Sequence, residues 1–120
     1  VVKKGDKETC SGGGWHVDNH DPQFKSIIYL TDVDEGNGEF LIVESSKNLI
    51  KEIGTYKATP TDNSETRILE SNVFGYFEED RIKKITGKRG TMILVDTSNI
   101  HRGSNIKKGE RVTFTNYFYH

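Results

Sequence analysis

The 120-residue sequence predicts one mainly β domain, a double-stranded β-helix (a jelly-roll, cupin-like barrel) with one or two short helices. Three observations favour this fold class. Short segments with strand character alternate with turns, the middle of the chain has long connections, and candidate metal ligands stand at strand ends. Although only 32% of the residues are apolar, 12 glycines and 10% aromatic residues suit a turn-rich β structure better than disorder.

Two strands are predicted in the first half of the chain. Residues 24–33 and 39–44 favour strands, and the sequence Asp34-Glu35-Gly36-Asn37-Gly38 favours a turn, so we expect a hairpin. Within residues 48–57, the apolar positions fit one short helical face. Residues 59–64 are predicted to be a loop because of their composition.

The second half carries further strand and helix signals. A short strand is predicted at 67–73, and one or two helical turns at 78–85, where acidic residues precede basic ones as the helix dipole favours. Residues 91–96 are predicted to form a strand that leads to His101. A last strand is expected at 111–119.

The last predicted strand has two different faces. The polar set is expected to line the barrel, and the other set to face away from it. These sets are Arg111, Thr113, Thr115 and Tyr117 on one side, and Val112, Phe114, Asn116 and Phe118 on the other.

The composition limits the classes of function. With 17 Lys and Arg against 18 Asp and Glu, the net charge of -1 gives no reason to expect nucleic acid or an anionic membrane as a partner. Small metabolites and protein surfaces remain open as partners, and of these we expect a small-molecule substrate. Cys10 is the single cysteine, so no internal disulfide can form and a reducing, cytoplasmic location is expected. No apolar run approaches the ~18 residues of a membrane helix.

The strongest chemical signal is a candidate metal site. His16 and Asp18 are two residues apart, and on an extended backbone their side chains point to the same side. Three glycines, residues 12–14, precede them and permit a sharp turn. His101, from a distant strand, would complete two imidazoles and one carboxylate on one face of an octahedron, the ligand set of non-haem Fe(II) oxygenases.

Arg111 lies ten residues after His101 and is a candidate carboxylate anchor. If both residues flank the same barrel mouth, the planar guanidinium can hold a dicarboxylate such as 2-oxoglutarate through a two-pronged hydrogen bond. Thr113 and Ser104 are the next candidates for contacts with this co-substrate.

The ordered set of motifs resembles the phytanoyl-CoA dioxygenase-like 2-oxoglutarate/Fe(II) oxygenases. The resemblance runs from Trp15 to the C-terminus and is carried by Trp15-His16-Val17-Asp18, Ile28-Tyr29-Leu30-Thr31-Asp32-Val33-Asp34, Asn37-Gly38, Gly90-Thr91, Asp96-Thr97, His101-Arg102-Gly103 and Gly109-Glu110-Arg111. It implies Fe(II) on His16, Asp18 and His101, conversion of 2-oxoglutarate to succinate, and ascorbate as a reductant. Because related halogenases lack the carboxylate, Asp18 favours hydroxylation of the substrate.

Other interpretations of the same residues stay open. A cupin-like barrel that binds metal or sugar without redox chemistry would need the metal ligands but not the Arg111 anchor. A zinc pair of His16 and His20 would need a helix through residues 16–20, which the preceding glycines and Pro22 disfavour. Arg102 is equally compatible with a substrate contact and with a surface charge.

The short stretch before His16 has a structural consequence. Only 15 residues precede it, too few for the helical layer that the resembled family usually carries there. We therefore expect an uncovered apolar sheet face that includes Val112, Phe114 and Phe118. Loops of the chain, a second copy of it in a homodimer, or further residues of a longer parent protein would then cover this face.

Overall fold

A computed structural model describes residues 1–3, 13–57, 61 and 65–119. Cys10, Gly12 and, apart from residue 61, the 59–64 loop lie outside the described residues. The strands are β1 Val2–Lys3, β2 Phe24–Tyr29, β3 Phe40–Val43, β4 Tyr56–Lys57, β5 Glu65–Arg67, β6 Ile82–Ile85, β7 Met92–Asp96, β8 His101–Gly103, β9 Glu110–Arg111 and β10 Thr113–Phe118. The helices are α1 Ile50–Ile53 and α2 Glu70–Tyr76, and single 3₁₀ turns span Lys47–Leu49 and Glu79–Arg81.

Two three-stranded antiparallel sheets dominate, as expected for a mainly β chain with two short helices. The first, called sheet I, has the strand order β10-β2-β7, and the second, sheet II, has the order β6-β3-β8. The short pairs β1-β9 and β4-β5 are also antiparallel. His16 forms bridges to His101 in β8 and to Arg67 in β5, and so extends sheet II beyond β8.

The predicted hairpin of residues 24–33 and 39–44 is wrong. Strand β2 pairs with β10 and β7, whereas β3 pairs with β6 and β8, so the intervening segment crosses from one sheet to the other. Tyr29 connects the sheets, because its hydroxyl donates to the carbonyl of Ile85 at 2.6 Å and accepts from the N–H of Phe40 at 3.1 Å. A turn sequence alone does not distinguish a hairpin from such a crossing.

The strand predicted at 67–73 is also largely wrong, because β5 ends at Arg67 and α2 follows. Val73 and Phe77 are buried, while Ser71 and Gly75 are exposed, a spacing of four that suits a helix against the core and not a strand. The predicted helix at 78–85 is confined to one 3₁₀ turn, since residues 82–85 pair with β3. The predicted helix within 48–57 is present but short, and it ends at Gly54, which has φ 85°.

The apolar core lies against one face of sheet II, under the helices. Its buried members are Trp15, Val17, Val43, Ile50, Ile53, Ile68, Val73, Phe77 and Ile100. Since Trp15 and Val17 enter this core, the side chain of His16 between them points to the opposite face, toward sheet I. Ile100 and His101 are divided between the two faces in the same way. The core therefore orients both histidines.

The opposite side of sheet I, away from sheet II, is largely apolar and exposed. The exposed fractions are 47% for Phe24, 57% for Met92, 70% for Leu94, 53% for Phe114 and 49% for Phe118. This confirms the expectation for Phe114 and Phe118, while Val112 is half-buried. Within the described ranges, none of the helices combines the length and apolar character needed to span a membrane.

Candidate metal centre

Backbone pairing brings the two candidate histidine ligands side by side across 85 residues of sequence. The N–H of His16 donates to the carbonyl of His101 at 3.0 Å, and the N–H of His101 donates to the carbonyl of His16 at 2.9 Å. This reciprocal pair places both side chains on one face, with ring centroids 4.3 Å apart. Asp18 joins them because its N–H donates to the carbonyl of Thr97 at 3.0 Å.

The three side chains converge on one point. His16 Nε2 lies 3.8 Å from Asp18 Oδ1, and His101 Nε2 lies 3.6 Å from Asp18 Oδ2. Candidate ligand atoms of the three residues all lie within 4.8 Å of one another, and they form the only such group of three or more His, Cys, Asp or Glu among the described residues. The predicted ligands are therefore together in space.

Both imidazoles are oriented in the same way. Nδ1 of His16 contacts the carbonyl of Gly14, and Nδ1 of His101 contacts the carbonyl of Asn99, each at 2.9 Å. A carbonyl only accepts, so each Nδ1 carries the proton and each Nε2 presents a lone pair toward Asp18. Such outer hydrogen bonds are the usual support of metal-binding histidines. The sequence had not identified these acceptors.

The electrostatics keep the ligands in the protonation states that a cation needs. Burial, together with the neighbouring His101, lowers the pKa of His16 from 6.5 to about 3. Burial also lowers the pKa of His101. For Asp18, burial would raise the pKa, but hydrogen bonds from Lys25 and Thr97 outweigh it and leave the pKa below its ordinary value. Two neutral imidazoles thus face one carboxylate at neutral pH.

Lys25 is a site residue that sequence reasoning missed. It lies in β2 with only 7% of its surface exposed, and its ammonium forms an ion pair with Asp18 Oδ2. The ammonium also lies 4.2 Å from the ring centroid of Tyr117 in β10. The available signal was alternation, because Lys25 shares one face of β2 with the buried Tyr29.

Arg111 lies on the same side of sheet II as the candidate metal ligands. A Cβ on Gly103 would stand 2.8 Å from Arg111 Nη1 and 3.1 Å from Nη2, so the missing side chain of Gly103 makes room for the guanidinium. Gly103 and His101 face the same way along β8, about 6.6 Å apart. Arg111 Nη1 donates to the carbonyl of Gly38, while its buried Nε has no hydrogen-bond partner in the part of the chain that the structure describes.

The other two candidates for the co-substrate occupy different places. Thr113 is half-buried and pairs with Tyr29 in register, so it faces the space between the sheets. Ser104 instead lines a surface cavity of about 470 Å³ together with Arg102 and Glu39, and its buried hydroxyl has no hydrogen-bond partner among the described residues. Its role in binding the co-substrate stays a prediction.

The remaining polar candidates are separate from the metal ligands. Arg102 is 7% exposed, and its guanidinium donates to Glu70 at 3.4 Å and to Asn105 at 3.0 Å, so it is not a free surface charge. His20 is exposed, and its Nε2 contacts the carbonyl of Glu65 at 2.9 Å. Residues 16–20 form no helix, which removes the geometry that a His16–His20 zinc pair requires.

No protein-family model matches the sequence, and searches of curated proteins and of solved structures found no significant match. The chemistry of the site is therefore inferred from its own residues.

Proposed function

We propose that the chain is an Fe(II)- and 2-oxoglutarate-dependent dioxygenase that hydroxylates a small molecule. The observation that carries this proposal is the convergence of His16, Asp18 and His101, with both Nε2 atoms directed toward the carboxylate. Two imidazoles and one carboxylate from one side leave the opposite side of a metal open, as this class of iron enzymes requires.

The donor set fits a divalent first-row metal. Each histidine has its tautomer set by a backbone carbonyl, so neither ring has to give up a proton to bind. Asp18 contributes one negative charge, and its low pKa keeps that charge at neutral pH. His16, Asp18 and His101 would hold the iron.

The buried cation beside the site fits a dicarboxylate. Arg111 is charged at any pH at which proteins function, and none of the described residues offers its Nε an acceptor, a costly arrangement unless a ligand supplies one. The distance of about 6.6 Å along β8 between His101 and Gly103 is one that an extended five-carbon dicarboxylate can bridge. Arg111 would bind the distal carboxylate of 2-oxoglutarate.

The sheet connections support a double-stranded β-helix. Sheet I is extended by the β1-β9 pair, and its strand order becomes β1, β9/β10, β2, β7. Sheet II is extended by the segment that contains His16, and its order becomes this segment, β8, β3, β6. Successive strands along the chain switch between the sheets, except that β3, β4, β5 and β6 follow one another on the side of sheet II. In a barrel of this kind, ligands from facing strand ends meet in the space between the sheets.

The chain's residues prepare the site for the reaction. When bound, iron and 2-oxoglutarate supply the oxidation: the substrate and O₂ give a hydroxylated product, while 2-oxoglutarate becomes succinate and CO₂, and ascorbate keeps the iron reduced. The ring centroid of Phe40 lies 5.5 Å from that of His101, so an apolar ring adjoins this histidine on one side. Tyr29 fixes the spacing of the two sheets. His16, Asp18 and His101 would hold the metal from one side only.

Metal titration is the first test. Mn(II) or Fe(II) should bind the wild-type chain, and His101→Ala and Asp18→Ala should bind at least tenfold more weakly, because each loses a direct ligand. His20→Ala is the matched control, since His20 is exposed and its ring contacts the backbone carbonyl of Glu65. Wild-type affinity in His101→Ala would refute this ligand set.

Turnover separates an oxygenase from a non-redox, cupin-like barrel. With Fe(II) and ascorbate, the wild-type chain should convert 2-oxoglutarate to succinate even without its prime substrate. Arg111→Lys should weaken 2-oxoglutarate binding on the order of tenfold to hundredfold, since a point charge replaces the two-pronged contact. The exposed Arg89→Lys should not. Metal binding without any succinate would favour the cupin-like alternative.

A further inference from the structure

Lys25 has features that a purely structural lysine does not need. Its ammonium is buried and has three donors, and Asp18 is the acceptor that it contacts among the described residues. Burying a charge is costly unless it is well paired. The ring of Tyr117, 4.2 Å away, supports the ammonium electrostatically but supplies no hydrogen-bond acceptor of the usual kind.

The position of Lys25 relates it directly to the proposed metal. Asp18 Oδ2, which Lys25 contacts, is also the carboxylate oxygen 3.6 Å from His101 Nε2. The lysine reaches this point from sheet I, whereas the histidines belong to sheet II. The ammonium therefore stands on the side of the ligand set that faces sheet I, where an additional ligand of the metal would enter.

The charges identify what this ammonium can recognise. A divalent metal with Asp18 alone carries a net charge of about +1, and Lys25 raises it to about +2. A positive group beside a cation opposes metal binding but favours an anion on that metal. A carboxylate that coordinates the metal therefore gains additional attraction from the ammonium of Lys25.

We propose that Lys25 is the second anion anchor of the site: its ammonium binds the carboxylate that coordinates the metal, while Arg111 holds the distal carboxylate. This rests on the metal centre of the proposed function and deepens it. Arg111 packs over Gly103, two residues along β8 from His101, so the two cations mark two ends of one ligand site. Recognition of a 2-oxo dicarboxylate is thereby divided between the sheets.

The test uses two probes that separate the anchors. Oxalate presents carboxylates to the metal but has no distal carboxylate, whereas 2-oxoglutarate has both. Binding of each to the Mn(II)-loaded full chain is measured by calorimetry. Lys25→Met and Lys25→Gln should weaken oxalate and 2-oxoglutarate on the order of tenfold to hundredfold, whereas Arg111→Ala should weaken 2-oxoglutarate alone.

Mn(II) affinity checks that the lysine acts on the anion. Both Lys25 variants should bind Mn(II) as tightly as wild type or more tightly, because a repulsive charge is removed. Lys88→Met is the control, since the Lys88 side chain is 81% exposed. Two neutral replacements of different polarity guard against a folding defect in one of them.

The outcomes separate this proposal from the proposed function. Unchanged oxalate affinity in a folded Lys25 variant would overturn the proposal that Lys25 is an anion anchor. A loss of Mn(II) affinity alone would also overturn it, because Lys25 would then act by holding Asp18 in place. If 2-oxoglutarate fails to bind wild type but oxalate binding depends on Lys25, the anchor stands and the co-substrate assignment fails. If wild type binds no Mn(II), both fail.

Discussion

Gly103→Ala is a minimal change that tests the link between Arg111 and the co-substrate. The new Cβ would lie 2.8 Å from Arg111 Nη1, whereas ordinary contacts begin at 3.4 Å, so the guanidinium must move by about 0.6 Å. The end of an arginine side chain is flexible, and the backbone of Gly103 does not have positive φ. The free energy of unfolding should therefore change by less than about 1 kcal/mol.

Binding of 2-oxoglutarate should be more sensitive than folding. Because a two-pronged hydrogen bond depends on the guanidinium position, the displacement should weaken binding roughly tenfold, equal to about 1.4 kcal/mol. The dissociation constant of 2-oxoglutarate on the Mn(II)-loaded protein measures this effect. Mn(II) affinity should be unchanged, since Gly103 lies two residues from His101 and contributes no ligand.

Gly75→Ala is the matched control for the same chemical change. Gly75 lies in α2, and a Cβ there would meet nothing within 4 Å, so this variant should keep full affinity for 2-oxoglutarate and gain helix propensity. If Gly103→Ala binds 2-oxoglutarate as tightly as wild type, the position of Arg111 beside Gly103 has no role in co-substrate binding.

Three further predictions follow from the structure. The pKa of His16 is about 3 in the folded protein and 6.5 in an unfolded chain. Between these two pH values the unfolded state binds more protons than the folded state. The contribution of His16 to the free energy of unfolding is therefore fully present above pH 6.5 and falls in acid by up to about 1.4 kcal/mol per pH unit. The lowered pKa of Asp18 acts in the same direction. Urea unfolding midpoints measured at several pH values should depend less on pH in His16→Asn than in wild type. Tyr29→Phe removes the hydroxyl that joins the two sheets and should cost about 1 to 3 kcal/mol in urea unfolding, so a loss below about 0.5 kcal/mol would contradict the role of that hydroxyl. The apolar face of sheet I predicts association at increasing concentration in sedimentation experiments, and Leu94→Lys with Phe114→Lys should abolish it; a wild-type chain that stays monomeric throughout would refute this.

The sequence by itself determined the class of structure and the members of the candidate metal group. A period of two along an extended backbone places His16 and Asp18 on one side, and the structure shows that geometry. The same rule separated the two faces of the last strand, of which Phe114 and Phe118 are exposed. Such inferences succeed because side-chain direction is set by local backbone geometry.

Tertiary structure decided which strands pair and which polar residues meet. Local propensity is the same whether residues 24–29 pair with the next strand or with β10 and β7, and burial between two sheets selected the latter. The strand predicted at 67–73 failed because helix α2 buries Val73 and Phe77 against a distant core. Sequence reasoning missed Lys25 for the same reason. Its place in the site depends on its ion pair with Asp18, and only the packing of sheet I against sheet II brings these two residues into contact.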